Sequence, residues 1–394
     1  MSSRSQSSFD RVSGNLAVVM RAFEGGGSQR DMVLLCNALA ANGVSLTVLV
    51  LRDGGPLRAL LDPAIRVVVV PGRRMRYALP GLWRTIAALR PEVVVSSETG
   101  LNLSTLVAAH ALPRRSRPKL IVREVCSPSL ARRQDPDRLN RVGYVFLRWL
   151  YRYADRIVTL TEGGRRDLID NFAVPADMIA VMRTNAVVPP AVVARLAAWD
   201  GEAGRERDLV VCVGSLSPEK DQRTLLQAMT LMPPDRAWRL ALVGDGPERP
   251  ALEAFVATHG LADRVSFTGF AVDPFAWMMR ARVVVCSSIY EGLGNAIIEA
   301  LACGTPVVST DCPYGPRETL QNGRYGTLVP VGDANAMAAA IDAALDRTPD
   351  RLPLMRRGLD YTAARAAERF LEIVTDVQAG AMGAGAAVGA ARAS

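Results

Sequence analysis

Lysine and histidine are almost missing from this sequence. Of its 47 basic residues only Lys119 and Lys220 are lysines, and the 394 residues hold two histidines, His110 and His259. A bias this strong toward arginine has the stamp of genomic base composition, and it makes each retained lysine worth examining. The six cysteines (Cys36, Cys126, Cys212, Cys286, Cys303, Cys312) are scattered and form no C-x-x-C pair. That argues against a clustered metal site or a disulfide framework and fits a reducing cytosol. No apolar run approaches the roughly 20 residues a membrane-spanning helix needs. The first fifteen residues contain no apolar segment, so no secretory signal is expected there.

What is present is the composition of a globular chain, with 49% hydrophobic and 22% charged residues. Its length suits two or three domains with sizeable cores. The net charge of +8 is unevenly placed: residues 1–190 carry 27 basic and 15 acidic side chains, whereas residues 191–394 carry 20 and 24. The first half, at net +12, should face an anionic partner.

Apolar runs of strand length recur at 16–20, 46–51, 66–70, 92–97, 120–125 and 156–161, with helix-length stretches such as Gln29–Ala41 between most of them. They are apolar throughout rather than alternating, as in strands buried on both faces of a parallel sheet. The series restarts at 209–216, 239–246, 265–269, 282–288 and 306–310, after a Pro-, Gly- and charge-bearing segment at 187–208. This pattern predicts two doubly wound α/β domains of Rossmann-like type with a cleft between them. The expected division is a flexible N-terminus at 1–15, domains at 16–190 and 191–360, a helix at 361–378 and a disordered small-residue tail at 379–394.

The most informative segment is SSIYEGLGNAIIEALACGTPVVSTDCPYGPRETL, 287–320. A strand ends at Ser288, and the loop Glu291-Gly292-Leu293-Gly294-Asn295 opens a helix carrying Glu299. The free backbone N–H groups and positive dipole end of a helix N-terminus suit a phosphate. Two carboxylates eight residues apart, one on the loop and one in the helix, can reach different hydroxyls of a ligand lying across it. A bare E-x7-E is also compatible with solvated or capping glutamates. Gly25-Gly26-Gly27 follows the first strand and precedes a helix, a loop that allows close backbone approach to a ligand but is also an ordinary turn.

The wider pattern resembles the family-4 retaining glycosyltransferases of the GT-B fold. Glu291, Glu299 and ALACGTPVVSTDC match their E-x7-E and following turn in order and spacing, and VGSLSPEKD (213–221), LALVGDGPER (240–249), VSFTGF (265–270) and QNGRYGTLVPVGD (321–333) match further stretches. EGGGSQRDMVLLCNALAANG and YADRIVTLTEGGRRDL extend the likeness more weakly into the first half, so that it covers about Ala17 to Val377. The resemblance implies two facing Rossmann-like domains, the second binding a nucleotide diphosphate sugar and the first, basic one the acceptor, with the helix at 361–378 crossing back. Glu299 would hold the ribose, and Glu291 would sit by the donor sugar and diphosphate. The amides of Gly292, Leu293, Gly294 and Asn295 would face sugar and phosphates, and Lys220 would pair with the diphosphate. Gly26, Gly27, Ser215, Gly244, Gly269 and Phe270 would line the donor site. No cofactor or metal is implied beyond the donor itself.

Two departures from the family pattern stand out. Ser215 replaces an arginine common in relatives, and Arg123-Glu124-Val125-Cys126 stands where a histidine often follows the fifth strand. His110 and His259 lie late in helices and read as structural, so Arg123 and Glu124 are the candidates for acceptor or sugar contact. The wording of 311–333 is most similar to bacterial hexosyl- and N-acetylhexosaminyltransferases of surface-polysaccharide or lipid-linked oligosaccharide assembly. That implies a UDP-sugar donor first and GDP-mannose second, a saccharide or lipid-linked acceptor, and a place on the cytoplasmic face of the membrane. Arg-rich stretches at 71–77, 113–120 and 139–156 support an anionic membrane surface, the last interleaving Arg with Leu, Phe, Trp and Tyr. A core-packing helix with a solvated basic face gives the same pattern. No nucleic-acid-binding module is recognisable. An epimerase of the same fold and a non-catalytic membrane adaptor are the rivals. A dinucleotide oxidoreductase is disfavoured because neither series has G-x-G-x-x-G after its first strand.

Overall fold

A computed structural model describes residues 15–72, 78–134, 138–201, 203–347 and 350–380. The expectations for most of the N-terminal segment, for the tail and for part of the 71–77 stretch fall outside these residues.

The chain divides into two compact units, 1–186 with 364–394 and 187–363. Among the described residues the first unit holds strands β1 (Leu16–Met20), β2 (Leu46–Val50), β3 (Arg66–Val69), β4 (Val93–Ser97), β5 (Lys119–Glu124), β6 (Arg156–Thr159) and β7 (Ile179–Val181). They form one parallel sheet in the order β3-β2-β1-β4-β5-β6-β7. Leu16 stands opposite Leu46 on one side and Val93 on the other. Central strands are buried along their whole length, β1 and β4 among them. Their unbroken apolar runs have that cause: helices cover both faces of the sheet.

The second unit holds β8 (Leu209–Val213), β9 (Arg239–Val243), β10 (Val265–Gly269), β11 (Val283–Cys286), β12 (Val307–Thr310) and β13 (Thr327–Val329). Their order is β10-β9-β8-β11-β12-β13, again parallel. Each unit has its own core. Val19, Leu49, Leu82, Leu106 and Ile157 are central to the first, and Val210, Leu225, Leu240, Val283 and Ile341 to the second. Helix starts are marked by side-chain caps of the ordinary kind. Thr161 accepts from Gly164 N at 3.0 Å, and Asp333 accepts from Ala336 N at 2.9 Å, each contributing about 1 kcal/mol.

The chain leaves the first unit at Ala186 and returns to it at Ala364. The two crossing segments are tied together: Val187 and Val188 donate to Tyr361 O, and Ala363 N donates to Val188 O at 3.0 Å. The segment 187–208, read from sequence as a boundary, contains the helix Pro190–Ala198 and belongs to the second unit. The helix Ala363–Gln378 belongs almost wholly to the first, where Gln378 Nε2 donates to Glu92 Oε2 at 3.1 Å.

In both units the chain order reverses beside the first strand. β1 lies between β2 and β4, and β8 lies between β9 and β11. In doubly wound sheets the crevice outside the carboxyl ends of the strands at such a point is where ligands bind.

Candidate active site

In the second unit the loops that follow β8 and β11 meet at this reversal. Lys220 ends a short turn, Pro218–Lys220, after β8. Its Nζ donates to Glu291 Oε1 at 2.6 Å, and Ser288 Oγ donates to the same oxygen at 2.6 Å. Backbone bonds fix both partners. Ser287 Oγ donates to Lys220 O at 2.8 Å, Ile289 N to Glu219 O at 2.8 Å, and Glu291 N to Pro313 O at 3.0 Å. The side chains of Lys220 and Glu291 retain 26% and 13% of their exposure. The pair is therefore screened from bulk water yet open on one side.

Gly294 caps the helix Asn295–Ala302 in a left-handed conformation, φ 81°, which glycine adopts at no steric cost. A second segment holds the loop in place. A Cβ on Gly315 would fall 2.7 Å from Gly292 O, and Thr319 Oγ1 donates to Leu293 O at 2.9 Å. The Asp311–Leu320 stretch thus lies directly on the backbone of residues 292–293 and holds the Leu293 carbonyl in place. Glu299, in the second turn of that helix, is buried.

Ser215 is exposed, with its hydroxyl 2.9 Å from that of Ser217, and its carbonyl accepts from Gln222 Nε2 at 2.8 Å. A Cβ on Gly244 would fall 1.9 Å from Gly214 O, so the glycine there lets the loops after β8 and β9 touch. Gly244 is bridged to Gly269 in turn. Phe270 follows at 41% exposure. Lys220, Glu291 and the 292–295 loop are gathered at one strand edge. Gly244, Gly269 and Phe270 lie at the ends of the neighbouring strands β9 and β10.

In the first unit Gly26 caps the helix Gly27–Ala41 with φ −77°, an ordinary extended conformation. Arg123 and Glu124 require a correction. The Arg123 side chain is wholly buried; its guanidinium donates to Asp31 Oδ2 at 2.7 Å and Asn185 Oδ1 at 3.0 Å. Asp31 accepts from Ala186 N at 2.9 Å through its other oxygen. Arg123 thus locks a helix and the chain's exit from the unit and presents no charge to a ligand. Glu124 is buried too. It accepts from Thr99 Oγ1 at 2.9 Å, from Asn102 Nδ2 at 3.0 Å and from Tyr151 Oη. Burial pushes its carboxyl up to about 7 despite those three donors. It positions the helix Thr99–His110 and does not itself face solvent. Both histidines bond to the preceding turn, His110 Nδ1 to Leu106 O and His259 Nδ1 to Phe255 O, as structural residues do.

Two family profiles match the chain: the glycosyl transferase 4-like domain over residues 26–184, and glycosyl transferases group 1 over residues 207–347. Along nearly its whole length the chain is similar to the 2-deoxystreptamine N-acetyl-D-glucosaminyltransferase of Streptomyces fradiae, at 30% identity over 407 residues, 91% of this chain and 93% of that protein. The chain belongs to the group 1 glycosyltransferases. This glycosyltransferase is also 28% identical to the lipopolysaccharide core biosynthesis glycosyltransferase LpsE of Rhizobium meliloti, over 84% of this chain and 89% of that one. Its fold is GT-B: Anabaena HepE, solved in complex with UDP and glucose, superimposes with a TM-score of 0.74 at 19% identity, over 92% of this chain and 100% of that one.

Proposed function

We propose that this glycosyltransferase moves a hexose or N-acetylhexosamine from a nucleotide diphosphate sugar, with retention at the anomeric carbon. The favoured donor is a UDP-sugar, and the acceptor a saccharide or lipid-linked saccharide of bacterial surface-glycan assembly. The observation that carries this reading is the Lys220–Glu291 pair at the β8/β11 reversal, beside the Gly294-capped helix. As the sugar departs and becomes oxocarbenium-like, negative charge gathers on the leaving diphosphate. A fixed ammonium and a row of oriented amides stabilise that charge without reorganising, usually the largest single electrostatic contribution. Attack from the face the diphosphate leaves needs no enzyme nucleophile, which suits a chain whose two histidines, His110 in the first unit and His259 in the second, both bond to their own helix turns. In this reading charge neutralisation falls to Lys220 and the helix end. Glu299, buried in the helix, suits the ribose.

HepE was solved with UDP-glucose, and LpsE is a lipopolysaccharide core enzyme; both support the donor and pathway proposed. The Streptomyces fradiae relative acts on 2-deoxystreptamine, which favours a second reading, a small soluble aminocyclitol acceptor. The net +12 of residues 1–190 weighs against a cationic acceptor and for a phosphate-bearing one. It also supports work at an anionic membrane surface on the cytoplasmic side. No described helix is long and apolar enough to cross a membrane. The helix Arg138–Leu150 and the turn after it expose Phe146, Trp149 and Tyr153, with Arg148 stacked 5.1 Å over Trp149.

The test is transfer from UDP-, GDP- and ADP-sugars onto glycan and glycolipid extracted from cells lacking the enzyme, followed by NMR of the product's anomeric configuration. The reading requires a product with the donor's anomeric configuration in the glycan or glycolipid fraction. An inverted anomer would contradict retention, and transfer to free aminocyclitol alone would favour the second reading.

A further inference from the structure

The two units repeat one device. In the second, a cation after β8 meets a glutamate after β11 where the chain order reverses. In the first, Arg21 directly follows β1 and Glu98 directly follows β4, again at the reversal, with Arg21 Nε 3.9 Å from Glu98 Oε2. Glu98 was not singled out by the sequence, because nothing in the local motif marks it.

Three features set it apart. Its backbone sits at φ 80°, ψ 130°, a conformation that residues with a Cβ rarely adopt and that costs them conformational energy. Its carboxylate is held from across the reversal: Ser28 Oγ, at 3.4 Å, and Gln29 Nε2 both donate to Oε1. Those residues form the first turn of the helix opened by Gly26 and Gly27. The side chain nonetheless keeps 23% of its exposure. A strained, oriented and partly open carboxylate, at the edge where such sheets bind ligands, has the chemistry to accept from sugar hydroxyls.

We propose that Glu98 is the carboxylate of the first unit that accepts a hydrogen bond from a hydroxyl of the acceptor saccharide, with Arg21 and the Ser28–Gln29 turn fixing its direction. This rests on the chain transferring to a saccharide. Glu98 then sets acceptor affinity and orientation.

Glu98→Gly and Glu98→Gln test it, with thermal melting alone, melting with whichever of UDP, GDP and ADP shifts the wild type, and transfer as a function of extracted acceptor. Glycine relieves the backbone strain, so Glu98→Gly should melt at or above the wild-type temperature. It should show the wild-type nucleotide shift and need at least tenfold more extract for half-maximal transfer. Glu98→Gln should need several-fold more extract with an unchanged donor KM. Wild-type acceptor dependence in both variants would overturn the proposal. So would a lowered melting temperature with a lost nucleotide shift in Glu98→Gly, which marks a merely structural residue. If wild-type enzyme transfers no sugar to any saccharide, the underlying reading fails and the proposal falls with it.

Discussion

Glu291 and Glu299 are eight residues apart in sequence, and the fold gives them different surroundings. Glu291 shares a lysine and a serine at a partly open edge, whereas Glu299 is buried in the helix behind it. Hydrogen bonds to a ribose change little as the glycosidic bond breaks, so they are uniform binding. Glu299→Gln should raise donor KM by roughly ten- to a hundredfold, the worth of one charged hydrogen bond, and leave kcat nearly unchanged. Glu291→Gln should lower kcat with less change in donor KM. Steady-state kinetics with the reverse pattern would exchange the two roles. Glu124 offers a test on pH. Its carboxyl is pushed from 4.5 up to about 7, so the folded chain keeps a proton that the unfolded chain has released over that interval. The stability this supplies is complete below pH 4.5 and is lost as pH rises through 7. Glu124→Gln keeps the shape without the charge. It should be of order 1–3 kcal/mol more stable than wild type at pH 8 and lose that advantage at pH 5, as urea unfolding at the two pH values will read. An equal difference at both would show that Glu124 does not titrate. Lys220 and the two glutamates were legible because residue type and spacing mark them. Arg123 misled because burial is invisible in a sequence: an exposed arginine and one paired with Asp31 read the same.

At the scale of elements, the long apolar runs announced the central strands to within a few residues, because burial on both faces leaves no polar position to confuse the pattern. β7 and β13 went unread. Each has three residues, lies at a sheet edge and is only partly buried, so neither length nor hydrophobicity separates it from loop. Gly244 was read as a donor contact, and the fold adds a packing reason for it: its α-hydrogen side faces the carbonyl of Gly214. Gly244→Ala should push the ends of β8 and β9 apart. Overpacking of this kind costs typically 1–3 kcal/mol, and the lower urea midpoint should come with weaker donor binding. A variant with wild-type stability would mean that the two loops part freely.

For the whole molecule, the restart of the strand pattern foretold two units, and the structure sets the crossings at 186–187 and 363–364. The return of the C-terminal helix to the first unit followed from family resemblance alone, since no local signal says where a helix will pack. The uneven charge and the exposed Phe146, Trp149 and Tyr153 predict peripheral binding to anionic vesicles. Binding should weaken with salt, because attraction is screened within a Debye length of about 8 Å at physiological ionic strength. Equal sedimentation with neutral and anionic vesicles would contradict it. The central claim is that the edge formed by Lys220 and Glu291 holds the donor's diphosphate, and melting plus turnover of Lys220→Ala tests it most directly. Wild-type enzyme with its nucleotide sugar at 100 times Kd should gain about 2.7 kcal/mol of stability. Lys220→Ala should lose most of that gain and turn over roughly 10²–10³-fold more slowly, whereas a folded Lys220→Ala with wild-type gain and rate would contradict the account.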